Sequence, residues 1–338
     1  MNKFSRSLSI FLFDKKLPLG INKPVKHILV INWHGRIGDA IVSSFFFREI
    51  RKIENIIISV ITNESLKSLY IDFYNVDNIY TVSNKLSYYE LFKVSKELKD
   101  VDTIIPLMGL LNMKNLFFIS RINPKNLFSL DDKLGYSNMK MGKKTEKLLM
   151  HEIMHFILEK LDIQDIDDRF IIPLMNKNFT HYDILFNPFA SRLDKSFSRG
   201  KSISILELIL NRYKNKTIGI LSSPDTKLLA LELEKAINSK NVSVVNKIDT
   251  FYDAIDIIRN SNMIISIDTS LVHIASGLDK KLIAVYYKQG KIFNTWLPKK
   301  SINTKIIFSV GTEIYEKKNM NNFNNEDIIR AIDSFGEF

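Results

Sequence analysis

The sequence predicts an α/β protein made of two doubly wound, parallel-sheet domains that face a cleft. Three observations lead there. Short apolar runs rich in β-branched residues alternate with stretches of helical period, which is how buried parallel strands and their crossover helices read. The alternation fades between Asn112 and Lys144 and restarts at Asp183, which gives two halves. The 338 residues, 45% hydrophobic and 25% charged, are enough for two such cores.

The elements follow in order. The stretch Lys3-Phe4-Ser5-Arg6, then Leu8-Ser9-Ile10-Phe11-Leu12-Phe13, has the outline of a signal peptide. Its apolar core is too short, and Asp14-Lys15-Lys16 stands where small cleavage-site residues belong. Two readings stay open: a tail packed on the domain surface, or a basic, aromatic-bearing segment resting on a membrane interface. The first strand is His27 to Asn32. A loop, Trp33 to Asp39, leads into a helix carrying Ala40, Ile41, Phe45, Phe46 and Ile50. Further strands fit Ile56 to Ile61, Asn78 to Val82 and Val101 to Leu107, with helical patterns near Glu64 to Phe73 and Tyr89 to Leu98. From Asn112 to Lys144 the composition turns to Asn, Lys, Gly and Ser, and exposed loops are expected, with a basic cluster at Lys140, Lys143 and Lys144. A long helix fits Thr145 to Leu161, and Asp162 to Asn178 reads as a linker.

In the second half a strand fits Asp183 to Pro188, then a helix near Ile203 to Tyr213 and a strand at Thr217 to Leu221. A helix over Thr226 to Ile237, a strand at Val242 to Val245 and a helix over Phe251 to Asn260 come next. Lys281 to Tyr287 is a late strand, and Asn324 to Phe335 a final helix with Glu326-Asp327 in its first turn. The domains are expected over residues 1–165 and 166–322, with a C-terminal helix in 323–338 packing back on the first domain.

The stretch Met263 to Gly277 carries the strongest functional signal. An apolar strand ends at Asp268-Thr269-Ser270, and a helix then places Leu271, Ile274, Ala275 and Leu278 on one face. Free N–H groups at the helix start and two hydroxyls make a cradle for phosphate, at the strand end where open α/β sheets bind ligands. His273 lies one turn inside, on the side that faces back toward the tip. In the first half, Gly35-Arg36-Ile37-Gly38-Asp39 stands where strand meets helix, and its glycines let backbone approach a ligand. Asp39 reads either as a residue of the helix N-cap or as a general base for a substrate hydroxyl. The loop has neither dinucleotide-fingerprint nor P-loop spacing.

The chain has no cysteine, so disulfides and thiolate metal sites are excluded. Its net charge of +11 points to anionic partners, a phospholipid surface or phosphorylated glycan, or follows from a composition biased toward Lys, Asn and Ile. No nucleic-acid motif accompanies the charge, and the phenylalanines fall in apolar runs suited to core packing, so nucleic acid is not expected as a partner. No run of eighteen apolar residues occurs. His151-Glu152-Ile153-Met154-His155 is a literal H-E-x-x-H, the spacing of a zinc metalloprotease helix, but no third ligand can be assigned. The apolar face of Leu148, Leu149, Ile153, Phe156, Ile157 and Leu161 suits packing instead. Asp165-Ile166-Asp167 matches the D-x-D of metal-dependent sugar transfer, yet sits in the linker.

The segments ILVINWHGRIGDAIVSSFFFREIRK and IISIDTSLVHIASGLDKKLIAVYY resemble the two signature regions of family-nine glycosyltransferases, the lipopolysaccharide heptosyltransferases. Asn187 to Phe197 resembles the segment opening that family's donor domain, and Asn294-Thr295-Trp296-Leu297-Pro298 a late loop motif. The resemblance runs in the family's order from about residue 27 to 298. It implies a GT-B fold of two Rossmann-like domains, an ADP-heptose donor, and an inverting transfer that needs no metal or other cofactor. It implies a lipopolysaccharide or lipooligosaccharide core acceptor, an anionic lipid-linked glycan, and cytoplasmic work at the inner face of the bacterial inner membrane. Asp39 matches the family's general base and Lys195 its phosphate-contacting lysine. Asp268, Thr269 and His273 match its D-T-x-x-x-H donor motif, and Ser191 falls where a small hydroxyl residue lines the same pocket. Arg36 and Gly38 lie in the acceptor-side loop. Two departures stand out: Ser270 replaces the usual Gly, and His34-Gly35-Arg36 replaces small hydroxyl residues. They leave room for a relative that takes another nucleotide sugar and builds a surface polysaccharide.

Overall fold

A computed structural model of the chain describes residues 3–107, 111–288, 295–310 and 319–336. The chain forms two compact units, Met1–Ile171 and Ile172–Phe338. In the first, β1 (His27–Ile31), β2 (Ile57–Thr62), β3 (Asn78–Thr81), β4 (Thr103–Pro106), β5 (Asn126–Ser129) and β6 (Met139–Lys140) form one sheet in the order β3-β2-β1-β4-β5-β6. All its pairs are parallel, as the near-continuous apolar runs require. The chain leaves β1 toward β2 and β3, then returns to the other side of β1 with β4. That reversal places a ligand crevice at the carboxyl end of β1.

The helices of this unit are α1 (Lys3–Phe13), α2 (Ile37–Val42), α3 (Ser44–Glu49), α4 (Tyr88–Glu97), α5 (Met113–Ile122) and α6 (Met150–Lys160). Leu29, Ile31, Ile104, Leu91, Phe118 and Ile119 are among the fully buried side chains of one core face. The helix expected from Ala40 onward is broken at Ser43, whose hydroxyl donates to the Asp39 carbonyl at 2.7 Å. A hydroxyl bonding back to the preceding turn competes with the backbone ladder and bends a helix.

The second unit repeats the plan with β7 (Ile184–Asn187), α7 (Arg199–Arg212), β8 (Ile218–Ile220), α8 (Lys227–Ile237), β9 (Val242–Val244) and α9 (Phe251–Arg259). Then come β10 (Met263–Ile267), α10 (Ser270–Gly277), β11 (Lys281–Tyr287), β12 (Thr304–Ser309) and α11 (Glu326–Asp333). Sheet order is β12-β11-β10-β7-β8-β9, again parallel throughout. Its reversal lies between β7 and β10.

The structure adds to or departs from the sequence reading in four places. Residues 112–144 are not all loop. Asn112 caps α5 by accepting from the Asn115 amide at 3.1 Å, Asn123 ends it in the left-handed conformation at φ 56°, and β5 and β6 follow. Asparagine here marks helix ends rather than a structureless run. Strand β12 was not foreseen; as an edge strand carrying Lys305 and a part-exposed Phe308 it lacks a continuous apolar signature. The units divide after Ile171 rather than 165, because residues 164–171 are strapped to α3 and its extension. Lys52 donates to the Gln164 and Asp165 carbonyls, the Ile171 amide donates to Ser44 Oγ at 2.8 Å, and Phe170 stacks on Phe45. Finally, the C-terminal helix α11 belongs to the second unit. Ile328 and Ile332 are fully buried in that unit's core, and α11 packs on α7, β11 and β12.

Candidate functional site: a strand-end cavity in the second unit and a half-buried acid in the first

Register brings the second unit's site together. Ser266 of β10 lies directly beside Asn187, the last residue of β7. The Asn187 amide donates to Ser266 Oγ at 2.9 Å and to Thr269 Oγ1 at 3.1 Å. Thr269 is the N-cap residue of α10, yet its side chain does not cap the helix. Its hydroxyl is drawn back to the strand ends instead, so among the described residues the first-turn N–H groups have no side-chain cap. Ser270 and Leu271 of that turn line a cavity of about 400 Å³.

Three other strand-end loops complete the cavity. After β7, Phe189, Ala190 and Ser191 form one wall. This loop is tied by Phe197 N–H to the Pro188 carbonyl at 2.9 Å and by Ala190 N–H to Ser196 Oγ at 2.9 Å. After β8, residues 221–226 form a second wall, with Pro224 opening a short 3-10 turn and Ser223 N–H donating to Thr226 Oγ1. After β9, residues 248–251 form a third. Its shape is held by Asp253, whose carboxylate accepts from the Thr250 amide and hydroxyl and from Lys177 Nζ at 2.6 Å. Burial alone would raise Asp253, but these bonds outweigh it and hold the carboxyl at about 2.

The expected donor residues thus divide. Ser191, Thr269 and Ser270 line the cavity with Asn187. Asp268, His273 and Lys195 are not among the residues that line it. Asp268 stands one residue before the cap, and burial and then its charge raise the Tyr286 phenol. His273 is buried and meets the edge of Trp296 at 6.5 Å, while Tyr286 donates to the Trp296 carbonyl at 3.3 Å. The late loop motif therefore seats against α10; its Asn294 lies outside the described residues. Lys195 ends a 3-10 turn four residues beyond Ser191, and its ammonium has no hydrogen bond or ion pair among the described residues. A cation there is available to an anionic ligand.

In the first unit, Asp39 stands in the first turn of α2, beyond the carboxyl end of β1. It is half-buried, and no hydrogen bond supports its charge among the described residues. Burial pushes its carboxyl up to about 7, although the nearby Arg36 guanidinium works in the opposite sense. A carboxyl poised near neutrality is what a general base needs, and an N-cap is excluded because Asp39 sits inside the helix. Gly38 is buried beside it. Arg36 is exposed, and His34 is lowered by burial and by Arg36. Gly35 holds φ +57°, and a Cβ on it would overlap the Asn63 side-chain amide, so glycine is favoured there. Asn32 Nδ2 donates to the buried Tyr70 hydroxyl at 2.8 Å under the same loop.

The H-E-x-x-H residues serve α6 as a helix. Glu152 accepts from the Leu149 amide at 2.6 Å at the N-terminus, His151 is buried edge-on against Phe170, and His155 faces Glu159. Among the described residues no three His, Cys, Asp or Glu gather into a metal-holding group. Asp167 of the D-x-D match is held below the usual carboxylate range by bonds from Arg169, with Arg48 adding to it. Asn187 and Ser266 were missed as site residues, as was the wall 221–226. The available signals were a polar residue ending or interrupting an apolar strand, and the cap-type run Ser222-Ser223-Pro224-Asp225-Thr226.

Comparison with known proteins agrees with this anatomy. The model of glycosyltransferase family 9 (heptosyltransferase) matches residues 152–323, just over half of the 338. No curated protein matches by sequence. Among solved structures, a family 9 glycosyl transferase from Veillonella parvula is similar with a TM-score of 0.69 at 14% identity, covering 93% of this chain and 98% of that one. The E. coli ADP-heptose lipopolysaccharide heptosyltransferase II gives 0.65 at 14% identity, over 91% and 98%. The E. coli heptosyltransferase WaaC with ADP gives 0.63 at 13%, over 90% and 98%. At such identity the likeness is one of fold, and the fold is GT-B, with a parallel six-stranded sheet in each unit. With the family match spanning every strand of the second unit and its whole cavity, the chain belongs to glycosyltransferase family 9 and is a glycosyltransferase.

Proposed function

We propose that this glycosyltransferase moves heptose from ADP-heptose to a hydroxyl of an anionic, lipid-linked core glycan of lipopolysaccharide type, with inversion and without a metal. The observation that carries the donor half is the cavity at the strand ends of the second unit, with an uncapped helix start and two hydroxyls in its wall. Similar structures contain ADP and ADP-2-deoxy-2-fluoro heptose. Asp39 carries the acceptor half.

The acceptor oxygen attacks the anomeric carbon from the face opposite the diphosphate. A new C–O bond forms as the bond to the diphosphate oxygen breaks, and ADP leaves with the electron pair. Asp39 takes the hydroxyl proton, which it can do because its carboxyl loses its own near neutrality. Charge growing on the diphosphate is met by the α10 N–H groups and by Lys195. Thr269, Ser270 and Ser191 line the donor cavity, and Asp268 and His273 complete the donor motif beside them. The acceptor-side loop of Arg36 and Gly38 offers a cation and a close backbone approach. The work takes place in the cytoplasm, at the inner face of the inner membrane. Among the described residues no helix is long and apolar enough to cross a membrane, so the contact proposed is peripheral.

Ser270 in the cavity wall favours one variant reading, a different nucleotide sugar and a surface polysaccharide product. A thermal-shift screen of nucleotide sugars tests both. A ligand at a hundred times its Kd adds about 2.7 kcal/mol of stability. ADP-heptose should give the largest shift, and transfer should survive a chelator. A larger shift with a uridine or guanosine sugar nucleotide refutes the ADP-heptose assignment.

A further inference from the structure

Helix α1 has two apolar faces. At about 100° per residue, Ser9, Ile10 and Phe13 share one side, and Leu8, Phe11 and Leu12 share the opposite side. The first side faces the protein. Ser9 is fully buried, Ile10 and Phe13 pack on the first unit's core, and Phe13 meets Phe117 of α5 edge-on at 5.7 Å. Arg6 pairs with Asp131 and donates to the Leu111 carbonyl, while Asp14 accepts from the Gly135 and Tyr136 amides at 2.8 Å. The helix is thus fixed in orientation. Its outer side remains in water: Phe11 is 84% exposed, Leu12 54% and Leu8 40%, with Leu19 at 77% just beyond. A contiguous apolar ridge on a docked helix calls for a partner.

The charges beside it say which partner. The chain leaves α1 through Lys15 and Lys16, which join Lys133 and Lys140 around a cavity of about 370 Å³ that Leu19 also lines. Asp14 lies in the same wall, but its carboxylate is turned to the two amides. An exposed apolar ridge bordered by lysines is the surface that seats on an anionic bilayer, with side chains entering the acyl boundary and ammonium groups among the phosphates.

We infer that the outer face of α1 and the lysine-lined cavity beside it form a membrane-docking site for anionic phospholipid headgroups. The inference deepens the reading of a lipid-linked acceptor and rests on it for its purpose. Docking would hold the enzyme where such an acceptor is embedded.

The test is co-sedimentation of the full chain with vesicles, either phosphatidylcholine alone or phosphatidylcholine with about one-third phosphatidylglycerol. The wild type should bind the anionic vesicles and weaken as salt rises. Phe11→Ser with Leu12→Ser should weaken binding at least tenfold, and Lys15→Glu with Lys16→Glu by more than twentyfold, at about fivefold per lysine. Phe11, Leu12 and Lys16 face solvent and Lys15 gives up only an exposed hydrogen bond to Asn123 Oδ1, so Tm should change little. No binding to anionic vesicles, or binding that survives Phe11→Ser with Leu12→Ser, overturns the inference. So does a concentration-dependent dimer that Phe11→Ser abolishes, since the ridge would then be a contact between copies. Vesicle binding needs no substrate, so its failure is separate from failure of the proposed reaction. Transfer to a short water-soluble acceptor, retained by the ridge variant, reports on the latter alone.

Discussion

Replacing Asp39 by Asn removes a charge while keeping the shape. The Asp39 carboxyl titrates at about 7 because burial opposes its ionisation, against an ordinary value near 4. The native state therefore keeps this proton over a range in which the unfolded chain has lost it. Its favourable contribution is whole below about pH 4 and is lost as pH rises through about 7. Roughly three pH units at ~1.4 kcal/mol each set a ceiling of ~4 kcal/mol. The side chain is half-buried, so solvent screening reduces the cost of its charge to about 1–2 kcal/mol. Asn carries no charge at any pH. Asp39→Asn should accordingly stabilise the first unit by about 1–2 kcal/mol at pH 8, and by less at pH 5, where the folded carboxyl keeps more of its proton. For a unit of 171 residues the gain at pH 8 corresponds to roughly 2–8 °C in Tm. Paired calorimetric scans of wild type and variant at the two pH values measure it. A Tm difference that is absent, or equal at both, would refute the claim that burial holds Asp39 near neutrality.

Three further outcomes follow from the same geometry. Below about pH 7, kcat/KM for transfer should climb close to tenfold per pH unit and then level. Arg36→Ala should move that limb upward, since the guanidinium favours the ionised acid; a limb that stays in place would detach Arg36 from the base. Gly35→Ala should cost about 2 kcal/mol in thermal unfolding, because φ +57° and the Asn63 amide both oppose a Cβ; unchanged stability would count against that loop geometry. Asn187→Ala should weaken nucleotide-sugar binding about tenfold by calorimetry, since it removes the amide that ties Thr269 Oγ1 to the strand ends and leaves Thr269 only its 3.3 Å contact with Ser266 Oγ. Full affinity would show that the strand-end network does not shape the cradle.

Much of the fold was legible because buried parallel strands announce themselves. His27–Ile31 and Met263–Ile267 are largely apolar, β-branched runs, and each ends where the sheet reverses its strand order. What was illegible depended on tertiary context. Asn112 and Asn123 look like loop residues until one is seen capping α5 and the other closing it. Thr304–Ser309 is an edge strand with one part-exposed face, and α11 declares an apolar stripe but not which sheet it covers. At the site, the cavity-lining turn at 269–271 was readable as a strand running into a helix start. Asn187 and Ser266 were not, because their role lies in pairing across two strands that are nearly eighty residues apart. The H-E-x-x-H run shows the converse: its spacing is right, yet the fold gives Glu152 to a helix start and His151 to Phe170.

The central claim is a division of labour, with Asp39 moving the proton and the second unit's cradle holding the donor. Transfer by Asp39→Asn, measured beside its calorimetric affinity for ADP-heptose, tests it most directly. The account predicts a fall in kcat of a hundredfold or more with affinity within about twofold of wild type. A variant that turns over normally, or one that loses donor binding together with activity, would contradict it.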